Sequence, residues 1–351
     1  MKQKLIRAVA GCIAAAVLLS MQVCALPIVS AQSAVLMDGT TGRVLFEKDS
    51  RSKSLIASTT KIMTGLLIAE ECDLDARVCV PAEAVGVEGS SIQLKEGEIL
   101  TVETLLYGMM LHSGNDAAVA LAIYCSGSVA AFAEKMNRRA SEIGLRNTNY
   151  VNPHGLDGMQ HYSTAYDLAL LSATAMENEI FHRVVSTETV TLEGRCFTNH
   201  NKLLWQYDGA VGVKTGYTMA AGRVLVSAAE RNGCRLICVT IRDKNDWKDH
   251  TVLLDYGFST YELRELAGCG RAIGAVPVIN GAEGFVCAVT GEDVVFSVAD
   301  SDQVELRANL PMFIYAPVLA GDLAGTLSVL INGVEVMNVP LYWKYSVFEE
   351  A

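Results

Sequence analysis

The sequence predicts an α/β (α+β) chain, with an antiparallel sheet flanked by helices and a small all-β unit after it; three features of its 351 residues carry that expectation. Strand-like apolar segments stand at both ends of a first unit, helix-period segments fill its middle, and glycine-punctuated alternation without helical period follows residue 268. With 51% hydrophobic and 19% charged residues, the composition is that of a folded chain with a sizeable core.

The first 31 residues stand outside this pattern. Lys2, Lys4 and Arg7 precede the apolar run from Ala8 to Leu19, and small residues follow at Val23-Cys24-Ala25 and Val29-Ser30-Ala31. Residues 1–31 therefore read as an export signal cut after Ala25 or Ala31, which places the mature protein at the extracytoplasmic face of the envelope or in the medium. The apolar run is near the lower length limit for a spanning helix, so an uncleaved N-terminal anchor, with membrane association through it, is the competing expectation. Loss of three basic residues with the signal changes the formal charge from −11 to −14, with 25 basic residues against 39 acidic ones. Such a chain is not built to bind nucleic acid, and any anionic ligand requires a local basic site.

Residues 33–48 read as a hairpin turning at Asp38-Gly39-Thr40-Thr41-Gly42. From Ser58 the apolar spacing becomes helical through Ile62, Leu66 and Ala69, after a run of Ser and Thr able to cap. Thr101 opens a second helix through Leu105, Leu106 and Met109, a third begins at Asp116, and a fourth runs from Ser128 to Ile143, stopped by Gly144. Strand character returns in the Gly- and Val-rich run ending at Lys214, and residues 223–229 and 236–241 flank the hairpin dipeptide Asn232-Gly233 as central, buried strands. A closing helix is expected over 245–266. Residues 270–345, with a second Asn-Gly turn at Asn332-Gly333, read as all-β. The expected division is residues 32–267 for the first unit and 268–351 for the second.

Of ten cysteines, Cys12 and Cys24 lie in the signal, and no Cys-x-x-Cys pair or zinc-like Cys and His spacing occurs among the rest. The eight are expected as buried small hydrophobes, with Cys234 and Cys238 too far apart along one strand face to bond. No metal or cofactor is implied.

Chemistry begins at Ser58-Thr59-Thr60-Lys61, where serine and lysine three apart at a helix start share a face and the amine can reach the hydroxyl. Ser113-Gly114-Asn115 falls between two helices, so its hydroxyl and amide can face a cleft. Lys214-Thr215-Gly216 ends a strand, offering an ammonium and a hydroxyl for a carboxylate and a glycine beside which a peptide can lie. Each tripeptide or tetrapeptide is common alone. Their joint occurrence, in this order and each at an element boundary, carries the weight.

On these three motifs, and on Leu94-Lys95-Glu96-Gly97-Glu98, Asn152-Pro153-His154-Gly155-Leu156-Asp157, residues 161–167 and Lys214-Thr215-Gly216-Tyr217-Thr218, the chain resembles the low-molecular-weight penicillin-binding proteins that are D-alanyl-D-alanine carboxypeptidases. The resemblance covers nearly the whole mature chain and implies a β-lactamase/transpeptidase-like catalytic domain with a β-rich domain after it. It implies Ser58 as nucleophile, Lys61 as general base, Ser113 as proton relay and Asn115 as a holder of Lys61 or the substrate amide. Lys214, Thr215 and Gly216 would bind substrate, and the backbone N–H groups of Ser58 and Tyr217 would form an oxyanion hole. The implied partners are a peptidoglycan stem peptide ending in D-Ala-D-Ala and β-lactam antibiotics.

Two other readings compete. A serine β-lactamase shares the motifs and would need a deacylating glutamate, for which Glu177 and Glu179 are the residues in the right interval, although neither begins a Glu-x-x-Leu-Asn sequence. A non-catalytic wall-binding protein of the same fold is disfavoured by the intact motif set. His154 as a serine's base lacks an orienting carboxylate, His112 reads as structural, and the scattered Trp205, Trp247 and Trp343 read as packing residues. The ending, with Lys344 as its one basic residue from 339 onward, lacks the basic amphipathic helix with which many of the family lie on a membrane.

Overall fold

The computed structural model describes residues 26–350. The expected signal lies mostly outside the described residues. Of its last six positions, Val29 and Ala31 are buried, and the Ser30 hydroxyl donates to Asp243 at 2.6 Å and to Asp249 at 2.9 Å.

Strands β1 (Ser33–Asp38) and β2 (Val44–Lys48) form the expected hairpin, with the Asp38 carboxylate accepting from the N–H groups of Thr40 and Thr41 inside the turn. They join β7 (Ala210–Thr218), β8 (Gly222–Arg231) and β9 (Cys234–Ile241) in an antiparallel sheet of order β2-β1-β9-β8-β7. The central strands read as nearly continuous apolar runs because both faces are covered. Val35, Met37, Val224, Val226, Ile237 and Val239 face one core, while Ala34, Leu36, Leu225, Leu236 and Cys238 face another.

Helices α1 (Lys61–Glu71), α2 (Val102–Leu111), α3 (Asn115–Ser126), α4 (Val129–Ile143), α5 (Ala165–Met176) and α6 (Glu179–Ser186) pack on the first face. Their starts are set by sequence. Thr101, Ser128, Thr164 and Asn178 each accept from a first-turn N–H of the helix that follows, and Gly127 and Gly144 end α3 and α4 in the left-handed conformation. α5, α6 and a small hairpin of β5 (Thr189–Leu192) with β6 (Arg195–Thr198) were not singled out by the sequence reading.

The other face is covered by α8 (Asp246–Thr260), which follows a one-turn helix α7 (Leu203–Gln206) in chain order. α8 is shorter than the helix expected over 245–266. Residues 261–267 form strand β10 (Tyr261–Ala267), because their Tyr-Glu-Leu-Arg-Glu alternation pairs with β13 (Val294–Ala299).

Beyond it, β11 (Ala272–Ile279), β12 (Phe285–Thr290), β14 (Val304–Asn309), β15 (Ile314–Tyr315), β16 (Leu323–Ile331) and β17 (Val334–Trp343) make a sheet of order β14-β16-β17-β12-β11-β15 around Phe296, Leu327, Leu341 and Trp343. Asn332-Gly333 makes the β16–β17 turn as expected. Arg43 joins the two units, with its guanidinium 2.7 Å from Asp302 and over the Tyr261 ring.

The cysteines differ from the expectation of general burial. Cys234 and Cys238 are buried in β9, but Cys79, Cys196 and Cys269 are exposed and Cys72, Cys125 and Cys287 are half-buried. The short edge pairings of β3 (Arg77–Cys79) with β4 (Ile99–Thr101) and of β5 with β6 place Cys79 and Cys196 on solvent faces that period-2 patterning alone does not orient.

Candidate active site

The residue before the nucleophile candidate sets the site's geometry. Ala57 is buried with φ of 46°, a left-handed conformation that costs a non-glycine residue on the order of 1 kcal/mol or more. It turns the chain into a short 3-10 turn, Ala57–Thr60, that leads directly into α1. Ser58 stands in that turn, half-buried, and Lys61 opens the α-helix behind it.

Lys61 is completely buried, and its Nζ donates to three oxygens. These are Ser58 Oγ at 3.0 Å, Asn115 Oδ1 at 2.6 Å and the His154 main-chain carbonyl at 2.8 Å. Burial, and then the charge of Lys214, hold its pKa well below the ordinary lysine value against the opposing carboxylate of Asp116. Asn115 begins α3 and is held in turn by its Nδ2, which donates to the Glu88 carbonyl at 2.6 Å. Asp116 accepts from Ser91 Oγ at 2.5 Å and from the N–H groups of Ile92 and Leu94, which fastens the 88–94 loop over the start of α3.

Ser113, buried with φ of 61°, lies on the wall of the same cleft as Ser58; its hydroxyl makes no hydrogen bond among the described residues. Lys214 comes from β7, buried, with Nζ donating to the Thr215 carbonyl at 3.0 Å; burial lowers its pKa to about 7. Thr215 and Gly216 are half-buried at the cleft, and Tyr217 is exposed at its mouth.

Two glycines permit this assembly. A Cβ on Gly216 would stand 3.1 Å from Ser58 N and 3.2 Å from Ile56 O, so any side chain there would crowd the nucleophile turn that β7 passes. Gly155, at φ of 91°, lies against the same turn from the other side, where a Cβ would be 1.9 Å from Ala57 O. β7 is the last strand of its sheet, so its outer edge faces Ser58 across the cleft.

The structure thus brings together every residue singled out by the three motifs. It also adds members that the sequence reading missed. His200, Lys202, Arg223, Asp246 and Trp247 line the cleft, whose volume is about 390 Å³, with Arg223 held by two 2.8 Å hydrogen bonds to Asp246. Trp247 is therefore a cleft residue and Trp343 a core one, while Trp205 is exposed.

The His154 ring is not a base for Ser58. Its Nδ1 accepts from Leu156 N at 3.1 Å, burial first and Lys61 next lower its pKa to about 4, and its carbonyl is the group that meets Lys61. His112 accepts from Thr198 N at 3.1 Å and packs on Phe197 and His200. Glu177 is paired with Arg235, and Glu179 is exposed in the first turn of α6. Neither glutamate lines the cleft around Ser58. Among the described residues no cluster of metal-ligating side chains occurs.

Comparison with known proteins agrees with this geometry. Residues 21–245 match the family described as D-alanyl-D-alanine carboxypeptidase, and residues 261–349 match the C-terminal domain of penicillin-binding protein 5. The chain is 35% identical over 329 residues to the D-alanyl-D-alanine carboxypeptidase DacF of Bacillus subtilis, covering 89% of this chain and 84% of that protein. Penicillin-binding protein 5 from Haemophilus influenzae superposes with a TM-score of 0.81 at 30% identity, over 93% of this chain and 99% of that one. A DD-transpeptidase from Streptomyces K15, solved as a serine-to-alanine mutant, covers 67% of this chain and 100% of its own, with a TM-score of 0.64 at 33% identity. With a hydrogen-bonded serine–lysine couple at its centre and these relatives over nearly its full length, the chain belongs to the D-alanyl-D-alanine carboxypeptidase family of serine peptidases.

Proposed function

We propose that Ser58 attacks the carbonyl between the last two D-alanines of a peptidoglycan stem peptide, releasing D-alanine and leaving an acyl-enzyme that water then hydrolyses. The observation that carries this reading is the 3.0 Å contact of Ser58 Oγ with an amine whose burial keeps it ready to take a proton. Lys61 takes the Ser58 proton, Asn115 and the His154 carbonyl hold the amine in place, and Ser113 passes the proton to the leaving D-alanine nitrogen.

The substrate's terminal carboxylate meets Lys214 and Thr215, and its backbone runs along the outer edge of β7 beside Gly216. The N–H groups of Ser58 and Tyr217 stabilise the tetrahedral oxyanion. A β-lactam mimics this peptide and acylates the same serine. The lactamase reading is disfavoured because neither Glu177 nor Glu179 lines the cleft around Ser58, and the wall-binding reading because the proton-transfer couple is intact.

The same proposal has the chain exported and cut after Ala25, so that residues 26–31 stay attached to the catalytic domain, 32–267, with 268–351 as the β-rich one. Cleavage after Ala31 would remove Val29, whose carbonyl accepts from Lys48 Nζ at 3.0 Å, and Ser30, which bridges Asp243 and Asp249.

Intact-mass measurement of the exported protein with and without benzylpenicillin tests both parts. The expected masses are those of a chain beginning at Leu26, with one slowly lost penicilloyl group that Ser58→Ala lacks. Diacetyl-Lys-D-Ala-D-Ala should release D-alanine at least ~10⁴-fold more slowly with Ser58→Ala. Labelling of Ser58→Ala, or rapid turnover of benzylpenicillin without an adduct, would refute the assignment.

A further inference from the structure

The helices that present Lys61 and Asn115 to the cleft bring two thiols together at their other ends. Cys72 caps the C-terminus of α1 in extended conformation, and Cys125 sits in the last turn of α3. Both are half-buried against the main core, and Cys72 directly follows Glu71, the residue whose carboxylate reaches Cys125. Lys135, from α4, donates to Cys125 Sγ at 3.6 Å and is paired with Glu71, whose Oε2 lies 3.8 Å from the same sulfur. None of these groups lines the catalytic cleft.

The two sulfurs are chemically unequal. The neighbouring Cys72 thiol, with help from Ser126 and Lys135, outweighs burial and lowers the Cys125 pKa to about 6, while Cys72 is pushed up. A stabilised thiolate with a second thiol beside it is the arrangement that thiol–disulfide exchange requires, with one sulfur to attack and the other to resolve.

We propose that Cys72 and Cys125 form a reversible disulfide, with Cys125 as the attacking thiolate and a small-molecule disulfide, RSSR, as the oxidant. Cys125 S⁻ displaces RS⁻ from RSSR to give a mixed disulfide. Cys72 gives its proton to the released RS⁻ and attacks Cys125 Sγ, expelling the second R group as thiolate, which takes up a proton from solvent. The two protein sulfurs together lose two electrons as one RSSR is reduced to two thiols.

The bond closes a loop over residues 72–125 that contains Ser113 and Asn115, and it staples α1 to α3 a helix length, roughly 16 Å, from the chemistry. It therefore stabilises the catalytic unit without entering the reaction. Oxidation should raise Tm by roughly 5–15 °C.

The test incubates the full chain with oxidised glutathione, alkylates the remaining thiols and maps peptides under non-reducing conditions. The expected product is a cross-linked pair of peptides carrying Cys72 and Cys125, with the rise in Tm reversed by dithiothreitol. Cys72→Ser should stop at a glutathione adduct on Cys125, and Cys125→Ser should leave Cys72 unmodified. Recovery of both as alkylated thiols, with glutathione confined to the exposed Cys79, Cys196 and Cys269, would overturn the proposal.

Discussion

Lys61, Lys214, Asp116, Asp167, His161 and His250 all lie buried inside the first unit, whereas the buried polar residues of the second, among those described, are Thr290, Ser297 and Ser328. The backbones differ in the same sense. Ala57 and Ser113, flanking the cleft, hold left-handed conformations that alanine and serine resist, while the non-glycine residues in that conformation in the second unit are Asn280 and Asn332, whose side chains tolerate turns. Removing a charge from water costs several kcal/mol unless partners replace the lost hydration, and strain adds to the cost. The first unit carries both burdens and offsets them with packing on both faces of its sheet; the second carries far less of either, its Asp302 carboxylate being paired with Arg43 where the units meet. Reactivity and plain structural cohesion are thus housed separately along one chain.

That separation can be attacked from either side. Short of removing Ser58 itself, the largest effect on acylation by benzylpenicillin should come from Gly155→Ala, which touches no substrate. Its Cβ would meet Ala57 O at 1.9 Å, so the nucleophile turn must move. A displacement near 1 Å costs roughly 10²-fold in rate, and the strained alanine destabilises the fold by on the order of 3 kcal/mol. Stopped-flow acylation and thermal unfolding would read the two losses, and an unchanged rate would mean the turn is not held as described.

A smaller effect follows from pH. Lys214, with its pKa lowered by burial to about 7, is a cation below that pH and loses its charge above it. Lys61 is likewise held well below the ordinary lysine value, by burial first and the charge of Lys214 next. The KM for a peptide with a free terminal carboxylate should therefore rise by about tenfold per pH unit above pH 7, with kcat little changed. A flat KM from pH 7 to 9 would remove Lys214 from carboxylate binding.

The smallest effect on acylation should come from the largest change to the second unit. Trp343→Ala empties a site that is 3% exposed and should destabilise that unit by about 3–5 kcal/mol. Acylation should stay within about twofold, since distant sites contribute independently. A larger loss would show that the β unit supports the cleft.

The sequence announced Ser58, Lys61, Ser113, Asn115, Lys214 and Thr215 because their side chains carry the chemistry and their spacings fall at element boundaries. Contributions made by main chain left no such signature. The carbonyls of His154 and Glu88 that hold Lys61 and Asn115 belong to residues whose side chains suggest other roles. Gly155 stands within a legible motif, but its purpose is a collision avoided with a residue almost a hundred positions earlier. Arg223 and Trp247 reach the cleft only because β8 and α8 are adjacent in space, a long-range fact. Strand β10 was hidden for a related reason, since its partner lies downstream in the second unit.

The three oxygens around Lys61 have a consequence for the direction in which a proton can travel. An ammonium has three N–H bonds, and here each has an acceptor. A neutral amine keeps two N–H bonds and one lone pair. The His154 carbonyl can only accept, and the Asn115 oxygen can only accept too, because its amide orientation is fixed by the donation of Nδ2 to Glu88. Both remaining N–H bonds are therefore committed, and the lone pair is left pointing at Ser58 Oγ, the one neighbour with a hydrogen to give. The count of valences alone makes the deprotonated site polar in a single sense, from serine to lysine.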